Sequence, residues 1–383
     1  MIRDTAEAFL LSESTSDIVR KTMATESGYD EALWQRVCAE LYWPAITIPE
    51  AQGGMGLGYV ELAATLEQMG RFLFCAPFFS SVCLAGNALL VAADDTQKAT
   101  WLPKLIEGDT ATLAFSGATG GRCADDIGVV FRKDGDSYIL SGEAHYVVDG
   151  HTADWVIIAA RNAKDANDVG LFVVTAGSEG LSRRWLPTMD QTRKQAALAL
   201  DDVVLSDALR LAGADNAKQA LTDTLDLATI ALAAEQVGVA QQALDTTLGY
   251  MSEREQFGRR IASYQAVKHK AADMMVKSEA ARSAVYYAAC VAQEYLDGGT
   301  LASELAEAAS VAKAWCSDAS FFNAGCGIQL HGGVGFTWEY DIQLLFKRAR
   351  AAEAYLGNSA WHRERIAGQL LDEASVTAGE EAA

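Results

Sequence analysis

Proline is scarce in this chain, at 5 residues in 383. So little of a residue that removes a backbone donor and clashes with the preceding helical turn suits a compact, largely helical protein. Histidine is as rare, also 5, and none stands in a nucleophile-elbow context, so no Ser/His/Asp constellation is suggested. The 7 cysteines, at 38, 75, 83, 123, 290, 316 and 326, form no CxxC pair and no Cys/His spacing suited to zinc. No metal site is expected, and most of these cysteines lie among apolar or small residues, which reads as buried reduced thiols of a cytoplasmic protein. Positive charge is short too. With 31 Lys and Arg against 51 Asp and Glu the net charge is −20, which argues against nucleic acid and against an anionic membrane surface, and reads most simply as solubility. No secretory signal is visible in Met1 to Leu11, and no apolar run approaches the ~20 residues a membrane span needs.

What is present is a change of periodicity along the chain. At 383 residues two or three domains are expected. Residues 1–108 read as an N-terminal helical domain, interrupted at Ile48-Pro49-Glu50-Ala51-Gln52-Gly53-Gly54-Met55-Gly56-Leu57-Gly58. With no strand before it and no Lys-Ser/Thr after it, that glycine loop reads as a turn rather than a phosphate cradle. Over 109–206 the period shortens to β-type runs, Gly128 to Arg132, Tyr138 to Leu140, Trp155 to Ala160, Leu171 to Val174 and Ala197 to Leu205. Turn signals separate them, which predicts a small, mostly antiparallel β domain. Helical character returns over 207–371, where Leu227, Ile230, Ala234 and Val237 make an apolar stripe. Packing of such helices predicts a four-helix bundle, followed by a flexible tail at 372–383. The fold class expected is α+β.

Two stretches carry chemistry. In Arg254-Glu255-Gln256-Phe257-Gly258 the guanidinium suits bidentate phosphate contact and the phenyl ring offers a packing face. In Gln329-Leu330-His331-Gly332-Gly333-Val334-Gly335-Phe336, Gly332 and Gly333 let a backbone approach a ligand, and Gln329 both donates and accepts hydrogen bonds. A plainer reading has Arg254 at a helix C-terminus and the glycines in a turn, with His331 a turn residue as well. The two motifs, together with Tyr264-Gln265-Ala266-Val267-Lys268-His269-Lys270 and the order helices, β domain, helices, resemble the acyl-CoA dehydrogenase family over nearly the whole chain. That resemblance implies FAD as cofactor, an acyl-CoA substrate oxidised at its α,β bond, and electron-transferring flavoprotein as acceptor. It also implies that Arg254, Phe257, Gln329 and Gly333 reach across a dimer interface to a partner's FAD.

The positions that would serve this chain's own flavin depart from the family pattern. Removing the α proton needs a base. The family usually carries a Glu where this chain has Leu356, in Tyr355-Leu356-Gly357-Asn358; other members carry it where this chain has Ala228, followed by Thr229 in place of an Arg. Glu353, one helical turn before Leu356, and Glu235 are the nearby acids, and pairing or a structural hydrogen bond is the simpler reading of each. The Thr-Glu-Pro segment that lines flavin and acyl-CoA is replaced by Phe115-Ser116-Gly117-Ala118-Thr119-Gly120-Gly121, and the Trp and Thr at the ring by Tyr146 and Val148. The pattern implies the base-lacking subunit of a heteromeric α2β2 acyl-CoA dehydrogenase, with a bulky, sterol side-chain-like acyl group as substrate. A homotetrameric flavoenzyme using another base or none, and a non-catalytic scaffold, are the alternatives.

Overall fold

The structure is a computed structural model that describes residues 2–380, with side chains for 2–371; most of the tail expected at 372–383 falls outside the described residues. Helical periodicity in the first hundred residues produces α1 (Ile2–Glu13), α2 (Ser16–Met23), α3 (Glu31–Leu41), α4 (Tyr59–Arg71), α5 (Asn87–Ala92) and α6 (Asp95–Glu107). The starts and stops follow local chemistry. Asp94 accepts from the Gln97 amide (2.8 Å) while the Gln97 side chain returns to the Asp94 amide (3.2 Å), a capping box opening α6, and Gly108 closes it with φ of 107°. The 48–58 loop is a turn: Gly54 N donates to Pro49 O (3.1 Å), and a Cβ at Gly54 would stand 2.0 Å from Ile48 O.

Seven strands follow: β1 (Ala111–Ala114), β2 (Val129–Asp134), β3 (Ser137–Val148), β4 (Trp155–Asn162), β5 (Val169–Thr175), β6 (Leu181–Leu186) and β7 (Gln195–Ser206). They form one sheet in the order β1-β4-β2-β3-β7-β6, with β5 also paired to β4. Pairing is antiparallel except that β1 and β2 run parallel to β4. The sequence reading missed β1 and β6, because β1 has only four residues and β6 alternates half-buried and exposed positions around two arginines. Phe131, Tyr138 and Phe172 pack edge-on or tilted at 5.1–5.7 Å between ring centroids at the centre of the sheet's core.

From Ala217 the chain is helical again: α7 (Ala217–Glu253), a two-residue-strand hairpin of β8 (Glu255–Gln256) and β9 (Arg259–Arg260), then α8 (Gln265–Asp297), α9 (Leu305–His331), α10 (Ile342–Ala354) and α11 (Ser359–Glu380). The predicted stripe on α7 is a correction: Leu227, Ile230, Ala234 and Val237 are buried, but every residue from Leu225 to Ala240 is, the polar Asp226, Thr229, Glu235 and Gln236 included, so this stretch is covered on every side rather than on one face. Five of the seven cysteines are buried, Cys123 and Cys290 are exposed, and all are free. Two compact units result, one of residues 1–62 and 73–231, the other of 63–72 and 232–383. Within the second, Asn323 of α9 sets its Nδ2 within 3.1 Å of Ala240 O on α7 and Met274 O on α8, and 2.9 Å from Ser278 Oγ, so a single buried amide ties three helices. Among the described residues no helix is long and apolar enough to cross a membrane.

Candidate active site

The Arg-Glu-Gln-Phe-Gly motif folds as the turn of the β8–β9 hairpin. Glu255 pairs with Arg260 and Gln256 with Arg259, leaving Phe257 and Gly258 as the two central residues, with φ of 55° and 76°. Both values are positive, as a two-residue hairpin of the favoured hand requires. Glycine tolerates this without strain, whereas for phenylalanine the left-handed region is costly. Phe257 is also 92% exposed. A ring held in an unfavourable backbone state and pointed into solvent is a surface open to a ligand or a second chain. Arg254 leads into the hairpin, its amide closing α7 on Tyr250 O (2.9 Å) and its side chain exposed, with no ion pair among the described residues.

The glycine motif ends α9. Gly332 is its C-cap with φ of 64°, a conformation that accounts for glycine there. Gly333 is different: its φ is not left-handed, and a Cβ built on it would meet nothing within 4 Å. Nothing within the chain demands glycine at 333, so open backbone here suits a ligand or second chain that comes close. Gln329 Oε1 accepts from Lys270 Nζ at 3.0 Å, which leaves a fixed ammonium beside its amide. His331 is buried, with Nδ1 donating to Gly327 O (2.7 Å) and its ring stacked on Tyr250 at 4.3 Å. Burial pushes its pKa below the ordinary value, so it is a neutral structural ring at the turn. A guanidinium, an ammonium, an outward aromatic ring and an unobstructed backbone are the donor set and surfaces that the pyrophosphate and rings of a flavin dinucleotide require, so these residues fit FAD.

The base positions hold no proton acceptor. Leu356 is buried, with φ of 60°, and its carbonyl accepts from His362 Nε2 at 3.0 Å. The segment around it is clamped by Lys313, a residue the sequence reading did not single out. Buried on α9, Lys313 Nζ donates to Ala352 O (2.9 Å), Glu353 O (3.1 Å), Gly357 O (2.9 Å) and Ser317 Oγ (2.9 Å), neutralising the carbonyl end of α10. Its signal was a lone cation in the small-residue run Ala308-Ala309-Ser310-Val311-Ala312-Lys313-Ala314. Glu353 pairs with Arg350, three residues away, and Glu235 lies buried 3.7 Å from the buried Arg348. Both candidate bases thus lie beside arginines.

Ala228, in the first unit, is wholly buried, and Thr229 beside it donates to Leu225 O (2.6 Å) while receiving Arg122 Nη1 (3.1 Å). Arg122, also unremarked in the sequence, arrives from the loop after β1 and places Nη2 2.6 Å from Asp226 Oδ1. Tyr146 sits where the register between β3 and β7 shifts, with φ of 57°; the bulge turns its half-exposed ring out of the strand alternation. Val148 is buried and brings no hydroxyl.

Family models for the acyl-CoA dehydrogenase N-terminal domain and C-terminal domain match residues 1–109 and 218–371. The chain is 32% identical to the acyl-CoA dehydrogenase IpdE2 of Mycolicibacterium smegmatis, over 97% of this chain and 98% of that one. Among solved structures it resembles a Tcur3481-Tcur3483 steroid ACAD variant, at 30% identity and a TM-score of 0.84 over 98% of each chain. It also resembles a chain of the ChsE4-ChsE5 complex from Mycobacterium tuberculosis, at 26% identity and 0.86, over 97% of this chain and 96% of that one. The chain belongs to the acyl-CoA dehydrogenase family, FAD-dependent oxidoreductases that act on CH–CH bonds.

Proposed function

We propose that this chain is the base-lacking subunit of a heteromeric acyl-CoA dehydrogenase, which completes the FAD site of a partner subunit while the partner supplies the catalytic Glu. The observation that carries the reading is Leu356: a buried aliphatic side chain stands at the usual base position, on a backbone held by Lys313 and His362, with no carboxylate to take the α proton. When bound, FAD accepts the β hydride. Arg254 then contributes charge to the pyrophosphate, Phe257 covers the cofactor from the partner side, and Gln329 with Lys270 anchors polar groups near the open backbone of Gly333. The outward exposure of Phe257 and Arg254 suits delivery across an interface rather than use within this chain. Electron-transferring flavoprotein is the expected acceptor, and seven free cysteines suit a reducing, cytoplasmic setting. A bulky, steroid-derived acyl-CoA is the substrate class we assign, supported by the likeness to a steroid ACAD.

The test is flavin per chain, from visible absorbance and native mass, for the protein purified alone and co-expressed with a second acyl-CoA-dehydrogenase-like chain. Gain of flavin only with the partner, at one FAD per pair of unlike chains, supports the heteromer, and Arg254→Ala in this chain then lowers the flavin retained by the complex. About one FAD per chain in a homotetramer refutes it and directs attention to Glu353 and Glu235.

A further inference from the structure

We infer that the stacked rings of Tyr250 and His331 form a strut that fixes the two FAD-facing motifs relative to one another, so that both are positioning residues for the cofactor. The inference rests on the half-site reading above and deepens it by naming what sets the geometry of that half-site. Each motif is closed locally. In the hairpin, Ile261 N donates to Arg254 O (2.9 Å) and Tyr264 Oη to Gln256 O (3.2 Å), while the Arg259 guanidinium lies 3.9 Å from the centre of the Tyr264 ring. In the glycine turn, Gly335 N donates to Gly332 O (3.0 Å), and a Cβ at Gly335 would stand 2.6 Å from Ile328 O, so the turn folds back tightly on the end of α9. Neither set of contacts fixes one motif relative to the other.

That relation is made by the helices that carry the motifs, whose ends meet through two contacts one helical turn apart. Gly327 of α9 gives the first: a Cβ there would stand 2.9 Å from Thr247 Oγ1 on α7, so only glycine lets the helices come this close. One turn on, the Tyr250 ring stacks on His331 at 4.3 Å with 20° between the planes, and Tyr250 Oη donates to His331 O (3.3 Å). Tyr340 meets both rings edge-on, at 5.9 and 5.8 Å. Each member of the stack is tied directly to one motif. Tyr250 O accepts the Arg254 amide (2.9 Å), and His331 immediately precedes Gly332, its ring fixed by the bond from Nδ1 to Gly327 O (2.7 Å). The other ring nitrogen, Nε2, is buried and has no hydrogen-bond partner among the described residues. A buried nitrogen left unsatisfied is unfavourable, and what offsets it is the face the ring presents to Tyr250.

The experiment uses the complex with its partner chain and follows the release of FAD after dilution by flavin fluorescence. Tyr250→Leu removes the stack and is combined with Arg254→Ala in a double-mutant cycle, with near-UV circular dichroism to establish that each variant is folded. Tyr250→Leu is expected to speed release about tenfold, and the two effects to combine to less than their product, because the strut acts through the placement of Arg254. Tyr250→Phe keeps the stack and should stay within about twofold of wild type. Hydrogen exchange in Tyr250→Leu should quicken over 332–335, in the motif on the other helix. Should Tyr250→Leu fail to fold, His331→Leu breaks the same stack from the other side and should quicken exchange over 254–258. Wild-type release from folded Tyr250→Leu overturns the strut, as do release from Tyr250→Phe as fast as from Tyr250→Leu and effects that multiply fully in the cycle. Arg254→Ala separates the two ideas: wild-type release from it refutes the half-site reading and the strut with it, whereas faster release beside an inert Tyr250→Leu refutes the strut alone.

Discussion

Replacing Lys313 by Met removes an ammonium and keeps a stem of similar length, which makes the clamp on the Leu356 segment measurable. Three carbonyls, of Ala352, Glu353 and Gly357, lose this donor, while the Ser317 hydroxyl keeps that of Gln236 Nε2 (3.1 Å). Hydrogen bonds from a charged donor contribute about 1.5–3 kcal/mol each, and a buried acceptor left bare costs about 1–3 kcal/mol. Against this stands relief from burying the ammonium, which recovers several kcal/mol. The ammonium and Ala352 are buried, and Glu353 and Gly357, at and just beyond the end of α10, are half-buried, so the loss prevails, by about 3–5 kcal/mol. For a unit of this size each kcal/mol moves Tm by roughly 2–4 °C, giving a fall of roughly 6–20 °C in differential scanning calorimetry. Hydrogen exchange should quicken selectively over 352–357, because the strained φ of 60° at Leu356 persists only while the surroundings hold it. A Tm within about 2 °C of wild type, with unaltered protection of that segment, refutes the clamp.

Three further outcomes are expected. Phe257→Gly relieves the left-handed strain at the hairpin turn, so it holds Tm or raises it by the equivalent of up to about 1 kcal/mol while lowering flavin retention in the complex; a clear loss of Tm refutes the strain argument. Glu235→Ala removes the carboxylate 3.7 Å from the buried Arg348 and costs about 1–3 kcal/mol in denaturant unfolding, whereas Glu353→Ala costs under about 1 kcal/mol, and turnover of the intact heteromer survives Glu353→Ala; abolished turnover there makes Glu353 the base. For His331 the native pKa lies below the ordinary 6.5, so the unfolded chain takes up the proton first on acidification. Its contribution is fully present above about pH 6.5 and is lost as pH falls toward the depressed native value. His331→Phe should flatten that limb of the stability profile, and an unchanged limb assigns it to other groups.

The two motifs proposed to face a partner were legible in the sequence because they are local. Arg254 to Gly258 builds its own two-strand hairpin, and Gln329 to Gly335 is a helix end with its own glycine cap, so neither needs a distant residue to take shape. The alternation of β3, β4, β5 and β7 and the length of α7 and α8 were likewise visible. Strand β6 was not, because its two arginines break the apolar signal and its place in the sheet comes from pairing with β7. Burial of α7 on every side was hidden too, since a pattern of spacings reports one face and only neighbouring elements decide how many are covered.

By itself, the sequence determined that neither Leu356 nor Ala228 can accept a proton in any fold, because side-chain chemistry does not depend on context. It also determined the order of helices, strands and helices through the periods of its apolar residues. Tertiary structure decided which buried charges meet which oxygens. Arg122 finds Asp226 across 104 positions of sequence, and Lys313 reaches carbonyls 39 to 44 positions away. Nothing local selects those partners; a buried charge must find a counter-charge or a cluster of oxygens, and only the folded chain brings one within reach.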